Sequence, residues 1–262
     1  MPARILAFIT ANFLFWPTLI VVPMSFSSAA SLRFPPPGYW IGYYEAFFTN
    51  PNWTGPLANS FVIALMTTVM TLVLATPAAF ALVRLDFFGK RAFRLLTLMP
   101  LLVPHIVLAL AYYIYFGEIG LLQSRLAVSL AHVCLTIPIA VLILTAALQS
   151  FDTNLERAAA SLGADPIVTF RTVTLPVMFP AFLVAAFFTF VNSFDESVIG
   201  LFISGREAAT LPRQMFNSFS MDADPVIAAA SSILFGAVLA CVGAVAAVRL
   251  VKSRFASQGA TV

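Results

Sequence analysis

Long uncharged stretches dominate the pattern of hydrophobic and polar positions along the chain. Six stretches of 23 or more residues lack Asp, Glu, Lys and Arg: 5–32, 46–83, 95–117, 126–151, 172–194 and 225–248. A helix that crosses a bilayer needs roughly 20 apolar residues. The strands of a transmembrane barrel would alternate polar and apolar side chains, and these stretches do not. The pattern therefore predicts an all-α, polytopic membrane protein with six transmembrane helices.

Prolines and charges set the predicted boundaries of these helices. We expect Pro100 and Pro104 to interrupt the third helix, because proline removes a backbone donor. The segment that ends at Pro56 is rich in proline and aromatic residues, and we predict that it is irregular and lies at the headgroup level. The end of the fifth helix, before or after Asp195, stays open. The predicted helices span about 5–24, 57–83, 95–115, 126–148, 177 onward and 225–248.

Composition and charge agree with a membrane protein. Hydrophobic residues make up 61% of the 262 residues and charged residues 10%, and the mean hydropathy is +0.96. These values exclude a soluble globular domain and a disordered chain. Lys and Arg number ten in one alternate set of loops and four in the other, which predicts that both termini are cytoplasmic. This bias accounts for the net charge of +3 without a nucleic-acid partner.

The predicted inner loop, residues 149–176, carries the most specific pattern in the chain. Gly163 can end a first helix in the left-handed conformation, Asp165 can cap a second helix, and Pro166 can be its first residue. The loop is therefore predicted to form helix, turn and helix at the cytoplasmic surface. One face of the first helix is lined at helical spacing by Leu155, Ala158, Ala159 and Leu162.

This loop resembles the E-A-A, x3, G, x9, I-x-L-P motif of the integral membrane permease subunits of binding-protein-dependent ABC importers. Ala158 and Ala159 match the two alanines, and Gly163 matches the glycine. The closing positions are Val173, Leu175 and Pro176, with Val in place of Ile. The motif's glutamate position holds Arg157, and the acid stands one residue earlier as Glu156.

The resemblance implies the type I permease fold of ABC importers, in a single permease domain over 1–262 with its core at 57–250. It implies that the loop is a coupling helix in a groove of a cytoplasmic ATPase. It also implies a second permease subunit, a solute-binding protein and a location in the bacterial inner membrane. The residues expected at the ATPase contact are Glu156, Arg157, Ala158, Ala159 and Gly163.

No phosphate loop G-x-x-x-x-G-K-[ST], no H-E-x-x-H and no G-x-S-x-G occurs in the sequence. We therefore expect a chain that is not an enzyme and has no cofactor of its own, with ATP hydrolysed by a partner subunit. A membrane enzyme is disfavoured by the same absences. A stand-alone channel or secondary transporter is a further alternative, but it would need coupling-ion sites and often a repeat in hydropathy.

Two adjacent acids follow the fifth apolar stretch. Charges at this depth are costly unless they face an aqueous pathway, so Asp195 and Glu196, with Asn192 one helical turn earlier, are candidate contacts for a cationic substrate. The surrounding sequence resembles the spermidine/putrescine branch of the family. Alternatively, the acids end the helix or face the binding protein. Within the same importer class, iron, thiamine, an anion or an opine-like compound is a separate alternative for the cargo. His105 and His132 are expected to make interhelical hydrogen bonds.

Overall fold

The computed structural model describes residues 2–32, 34–221, 224–240 and 243. This part of the chain is mainly helical, which confirms the all-α prediction, and one isolated antiparallel bridge joins Ser27 and Tyr39. The described residues form two compact units: one lies within 1–54 and 215–262, and the other comprises residues 55–214.

Twelve helices lie in the described residues. In chain order, they are α1 Pro2–Ser25, α2 Gly42–Thr49, α3 Pro51–Arg84, α4 Lys90–Leu98, α5 His105–Glu118, α6 Arg125–Gln149, α7 Asn154–Ser161, α8 Pro166–Thr169, α9 Leu175–Asp195, α10 Val198–Ile203, α11 Leu211–Met221 and α12 Val226–Ala240.

Among the described residues, three helices have the length and hydropathy of a membrane span: α3, α6 and the continuous helix Pro166–Asp195, which joins α8 to α9 through a π-helical turn, Phe170–Thr174. Lys90–Leu101 and His105–Glu118 together have the length and hydropathy of a fourth span. The predicted count of six is therefore supported for three or four spans and otherwise stays a prediction. The first part of the predicted sixth helix is present as α12. Of its remainder, residues 241, 242 and 244–248 lie outside the described residues.

The third predicted helix is broken rather than straight. A 3₁₀ turn, Met99–Leu101, follows α4, and the axis then bends by 98° before α5. Pro104 precedes the first residue of α5, and its backbone at φ −56°, ψ 133° is non-helical. Proline has no amide hydrogen and disfavours helical geometry in the residue before it, so the break falls where Pro100 and Pro104 predicted an interruption.

The segment before α3 is more ordered than predicted. It contains α2, and α3 begins at Pro51 instead of near Leu57. Phe47 and Trp53 are almost fully buried, and their ring centroids are 6.0 Å apart. Their burial stabilises helical structure that the proline-rich composition did not indicate, and Pro51 is tolerated because the first helical residue needs no amide donor.

Helix α6 forms the centre of the unit at residues 55–214. Its first half packs with α3 and α10 in one apolar cluster that includes Ile63, Ala131 and Ile199. Its second half packs with α3 and α9 in another cluster that includes Leu144 and Ala185. The candidate functional residues lie at the two ends of this packed group.

Candidate functional site

The predicted helix, turn and helix is present between α6 and α9. Helix α7 ends at Ser161, Gly163 has φ +87°, and α8 begins at Pro166. The Oδ1 atom of Asp165 accepts hydrogen bonds from the backbone N–H groups of Ile167 and Val168, both at 2.8 Å. These bonds satisfy donors that a helix start leaves free, so the local prediction is confirmed at the level of the backbone.

The exposed surface of this hairpin is apolar at its tip. Ala158 is exposed and Ala159 is partly exposed, while Leu162 and Ile167 retain 90% and 69% exposure. The Arg157 guanidinium is also exposed and lies 3.5 Å from the Asn154 side chain. A smooth apolar tip with a charged edge has the character of a docking surface. Ile167 was not singled out from the sequence, although its position after Pro166 in a short apolar run was visible.

Glu156 points towards the end of α3 and the start of α9 rather than outwards. Its Oε1 atom accepts a hydrogen bond from Thr174 Oγ1 at 2.7 Å, and its Oε2 atom lies 3.2 Å from Arg84 Nη2. The Arg84 guanidinium lies 5.4 Å from the ring centroid of Phe151. We call this arrangement the Arg84–Glu156–Thr174 joint. Arg84 and Thr174 were not predicted as site residues, because they have no distinctive spacing relative to the loop motif.

The acidic pair marks the end of α9. Helix α9 ends at Asp195, which is exposed. Glu196 is 6% exposed, and its carboxylate accepts from the backbone N–H groups of Val198, Ile199 and Gly200 at 3.1, 2.8 and 3.4 Å. The two acids thus differ: Asp195 has a free carboxylate surface, whereas Glu196 holds the first turn of α10.

All three predicted pathway residues line one cavity of about 340 Å³. Asn192, Asp195 and Glu196 contribute to its wall. His105, the first residue of α5, also lines it, with half of its side chain exposed. The His105 Nδ1 atom is 3.5 Å from Glu196 Oε1. The cavity therefore combines one exposed carboxylate, one buried carboxylate and an amide. Such a set of oxygen acceptors suits a hydrogen-bond donor or a cation.

The second histidine lies next to Glu196, one of the residues that line the cavity. His132 on α6 is fully buried, and its Nδ1 atom is 2.8 Å from Ser193 Oγ. Its Nε2 atom lies 3.5 Å from Glu196 Oε2. His132 and Ser193 thus make the interhelical hydrogen bond that was expected for a membrane histidine. The proximity of both histidines to Glu196 was not predicted, although their polar character within apolar stretches was a signal.

Residues 72–256 match the family described as the binding-protein-dependent transport system inner membrane component. The chain belongs to this family. It is therefore a membrane component of a transport system, and the loop motif between α6 and α9 lies within the matched region.

Curated relatives extend the similarity over most of the chain. The putrescine transport system permease protein PotI of Escherichia coli is 31% identical over 238 residues, covering 87% of this chain and 83% of the relative. The spermidine/putrescine transport system permease protein PotC of Haemophilus influenzae is 27% identical, covering 90% and 91%. The trehalose transport system permease protein SugB of Mycobacterium tuberculosis is 31% identical over a shorter region, covering 63% and 61%.

A solved structure shows the same fold. It is a bacterial ABC transporter involved in the import of the acidic polysaccharide alginate, and the alignment has a TM-score of 0.71 at 16% identity and covers 93% of both chains. The expected permease fold is thus supported by both sequence and structure.

Proposed function

We propose that this chain is one of two permease subunits of an ATP-driven importer and that its cargo is a polyamine of the putrescine or spermidine class. The observation that carries the cargo assignment is the cavity at the end of α9, where the exposed carboxylate of Asp195 lies beside Asn192 and Glu196. The names of PotI and PotC, which cover most of the chain, support the same class of cargo.

The cavity chemistry suits an alkyl ammonium group. Asp195 supplies a negative charge, Asn192 supplies an amide oxygen, and Phe188 contributes an apolar wall for the methylene chain. A carboxylate next to a cation in a partly dehydrated cavity interacts more strongly than it would in bulk water. Glu196 adds a second negative charge whose position is fixed by the backbone of α10.

The family and the hairpin support the remaining partners in this proposal. A cytoplasmic ATPase would hydrolyse ATP and receive the tip formed by Ala158, Ala159 and Gly163, with Arg157 at its edge. A second permease would complete the pathway, and a solute-binding protein would deliver the cargo from outside. In this proposal, the chain lies in the inner membrane with both termini cytoplasmic, holds no cofactor, is not itself an enzyme and alternates between outward-open and inward-open states.

A different cargo is the principal alternative. SugB, whose name specifies trehalose, shares 31% identity over part of the chain, so the shared fold does not fix the cargo. An uncharged sugar would not need the exposed carboxylate of Asp195, which is why the cavity favours a cation. Iron and thiamine are cations as well, and an anion or an opine-like compound would face an unfavourable charge at Asp195.

Uptake by the assembled transporter tests the proposal. The complete complex in proteoliposomes, with its binding protein outside and ATP inside, is expected to accumulate radiolabelled putrescine. We expect Asp195→Asn to raise the apparent KM about tenfold, because a charge-assisted contact is lost. Asp86→Asn serves as a control, since Asp86 is fully exposed in the α3–α4 corner. No uptake of putrescine or spermidine by the wild type, with uptake of trehalose or thiamine, would refute the cargo assignment.

A further inference from the structure

A single carboxylate connects the coupling hairpin to two other helices. Glu156 lies in the first turn of α7. Its Oε2 atom pairs with Arg84, the last residue of α3, and its Oε1 atom accepts from Thr174, the last residue of the π-helical turn that leads into α9. The carboxylate therefore contacts the inner ends of two apolar helices at once.

We propose that the Arg84–Glu156–Thr174 joint transmits the displacement of α7 to α3 and α9 together. In this view, Glu156 is a positioning residue inside the permease and not a contact to the ATPase. The inference rests on the proposed function, because it assumes that an ATPase moves α7.

Packing around the joint shows why its polar contacts matter. A cavity of about 540 Å³ adjoins the joint and is lined by Phe80, Ala160 and Ala164. Ala160 of α7 and Ala164 of the turn before α8 therefore do not fill the space beside α3. The ion pair at 3.2 Å bridges this region. Displacement of α7 reaches Arg84 through this charged contact rather than through close-packed side chains.

The partners of Glu156 are themselves held in place. The Arg84 guanidinium lies 5.4 Å from the ring centroid of Phe151, which stands between α6 and α7 in the chain. This contact restrains the guanidinium. Phe170, in the π-helical turn beside Thr174, packs edge-on against Phe80 of α3 at 5.8 Å. A π-helical turn is a local irregularity that often accompanies functional sites. The joint thus links restrained groups and can carry motion rather than absorb it.

Neutral variants of the complete transporter test this inference. We expect Glu156→Gln and Arg84→Gln each to lower the putrescine taken up per ATP hydrolysed about fivefold, without changing the apparent KM, since the cavity at Asp195 is untouched. The double variant should lose no more than either single variant, because groups in direct contact are non-additive. Arg84→Lys retains the positive charge and should recover most of the coupling. The ATPase should co-purify with every variant.

The control removes an ion pair of similar length that lies elsewhere. Asp86 and Lys90 form an exposed pair at 3.0 Å that does not involve α7, so Asp86→Asn should couple uptake to hydrolysis as the wild type does. The inference is overturned if Glu156→Gln behaves like this control or if the losses in the double variant simply add. Loss of the ATPase from Glu156→Gln during purification would also overturn it, because Glu156 would then be a docking contact.

The proposed function can fail separately. A wild-type complex that takes up no putrescine refutes the proposed cargo, while ATP hydrolysis stimulated by the binding protein still reports on the joint. That stimulation should persist in the Asp86→Asn control and fall in Glu156→Gln. Equal stimulation in these two variants would overturn the joint regardless of the cargo.

Discussion

Neutralising Asp195 and neutralising Glu196 should affect different properties of the protein, although the two residues are adjacent. The exposed carboxylate of Asp195 lines the cavity and makes no hydrogen bond or ion pair that would stabilise the described fold. The buried carboxylate of Glu196 accepts three backbone N–H groups at the start of α10. We therefore expect Asp195→Asn to affect uptake and Glu196→Gln to affect stability first.

The magnitude for Glu196 follows from its hydrogen bonds. Glutamine keeps one carbonyl oxygen but replaces the other acceptor with an NH₂ group, which faces backbone donors and cannot accept from them. Hydrogen bonds to a charged acceptor contribute roughly twice as much as neutral ones. A loss of about 1–2 kcal/mol is expected, which corresponds to a fall in Tm of about 2–8 °C for a unit of this size.

Thermal unfolding and uptake, measured on the same preparations, separate the two roles. Asp195→Asn should keep the wild-type Tm within about 2 °C and raise the apparent KM for putrescine. Glu196→Gln should unfold earlier, and measurement of uptake well below its Tm shows what remains of transport. An unchanged Tm for Glu196→Gln, or a lower Tm for Asp195→Asn, would refute the conclusion that Glu196 holds the first turn of α10.

Two further substitutions probe the hairpin and the buried histidine. Gly163→Ala places a side chain on a residue with φ +87°, at a cost of about 1 kcal/mol, and should reduce retention of the ATPase in pull-downs. The control is Gly120→Ala, at φ +67° after α5 and with equally open surroundings, which should retain the ATPase. Equal retention by both variants would count against the hairpin tip as the ATPase contact. Ser193→Ala removes the 2.8 Å contact to His132 and should destabilise the complex by about 1 kcal/mol in denaturant titration. Ser150→Ala serves as the control and should leave the stability unchanged, because the Ser150 hydroxyl is exposed. An unchanged unfolding midpoint for Ser193→Ala would contradict the role of this hydrogen bond.

Local signals in the sequence were sufficient for much of the helical architecture. The uncharged stretches located α3 and α6 within a few residues, apart from the earlier start of α3 at Pro51. Asp165 and Pro166 predicted the start of α8, because a side-chain acceptor before a proline is a local helix signal. These features depend on residues that are close together in the chain, so one sequence is enough to find them.

Contacts between distant residues could not be predicted in this way. Glu156 meets Arg84 across 72 positions, and Glu196 meets His132 across 64 positions. Both acids were singled out as polar residues at functional places, but a single sequence does not show which way a side chain turns. Helix α2 was missed for a related reason, since burial of Phe47 against Trp53 overrides a composition that favours irregular structure.

We infer that an ATPase drives this permease through the hairpin formed by α7 and α8. Photo-crosslinking from position 158 in the assembled, transport-competent complex tests it most directly, with position 115 as a control because Tyr115 is exposed towards the far end of α5. We expect an adduct between position 158 and the ATPase subunit and none from position 115. Full transport with no adduct from position 158, or an ATPase adduct from position 115, would contradict the account.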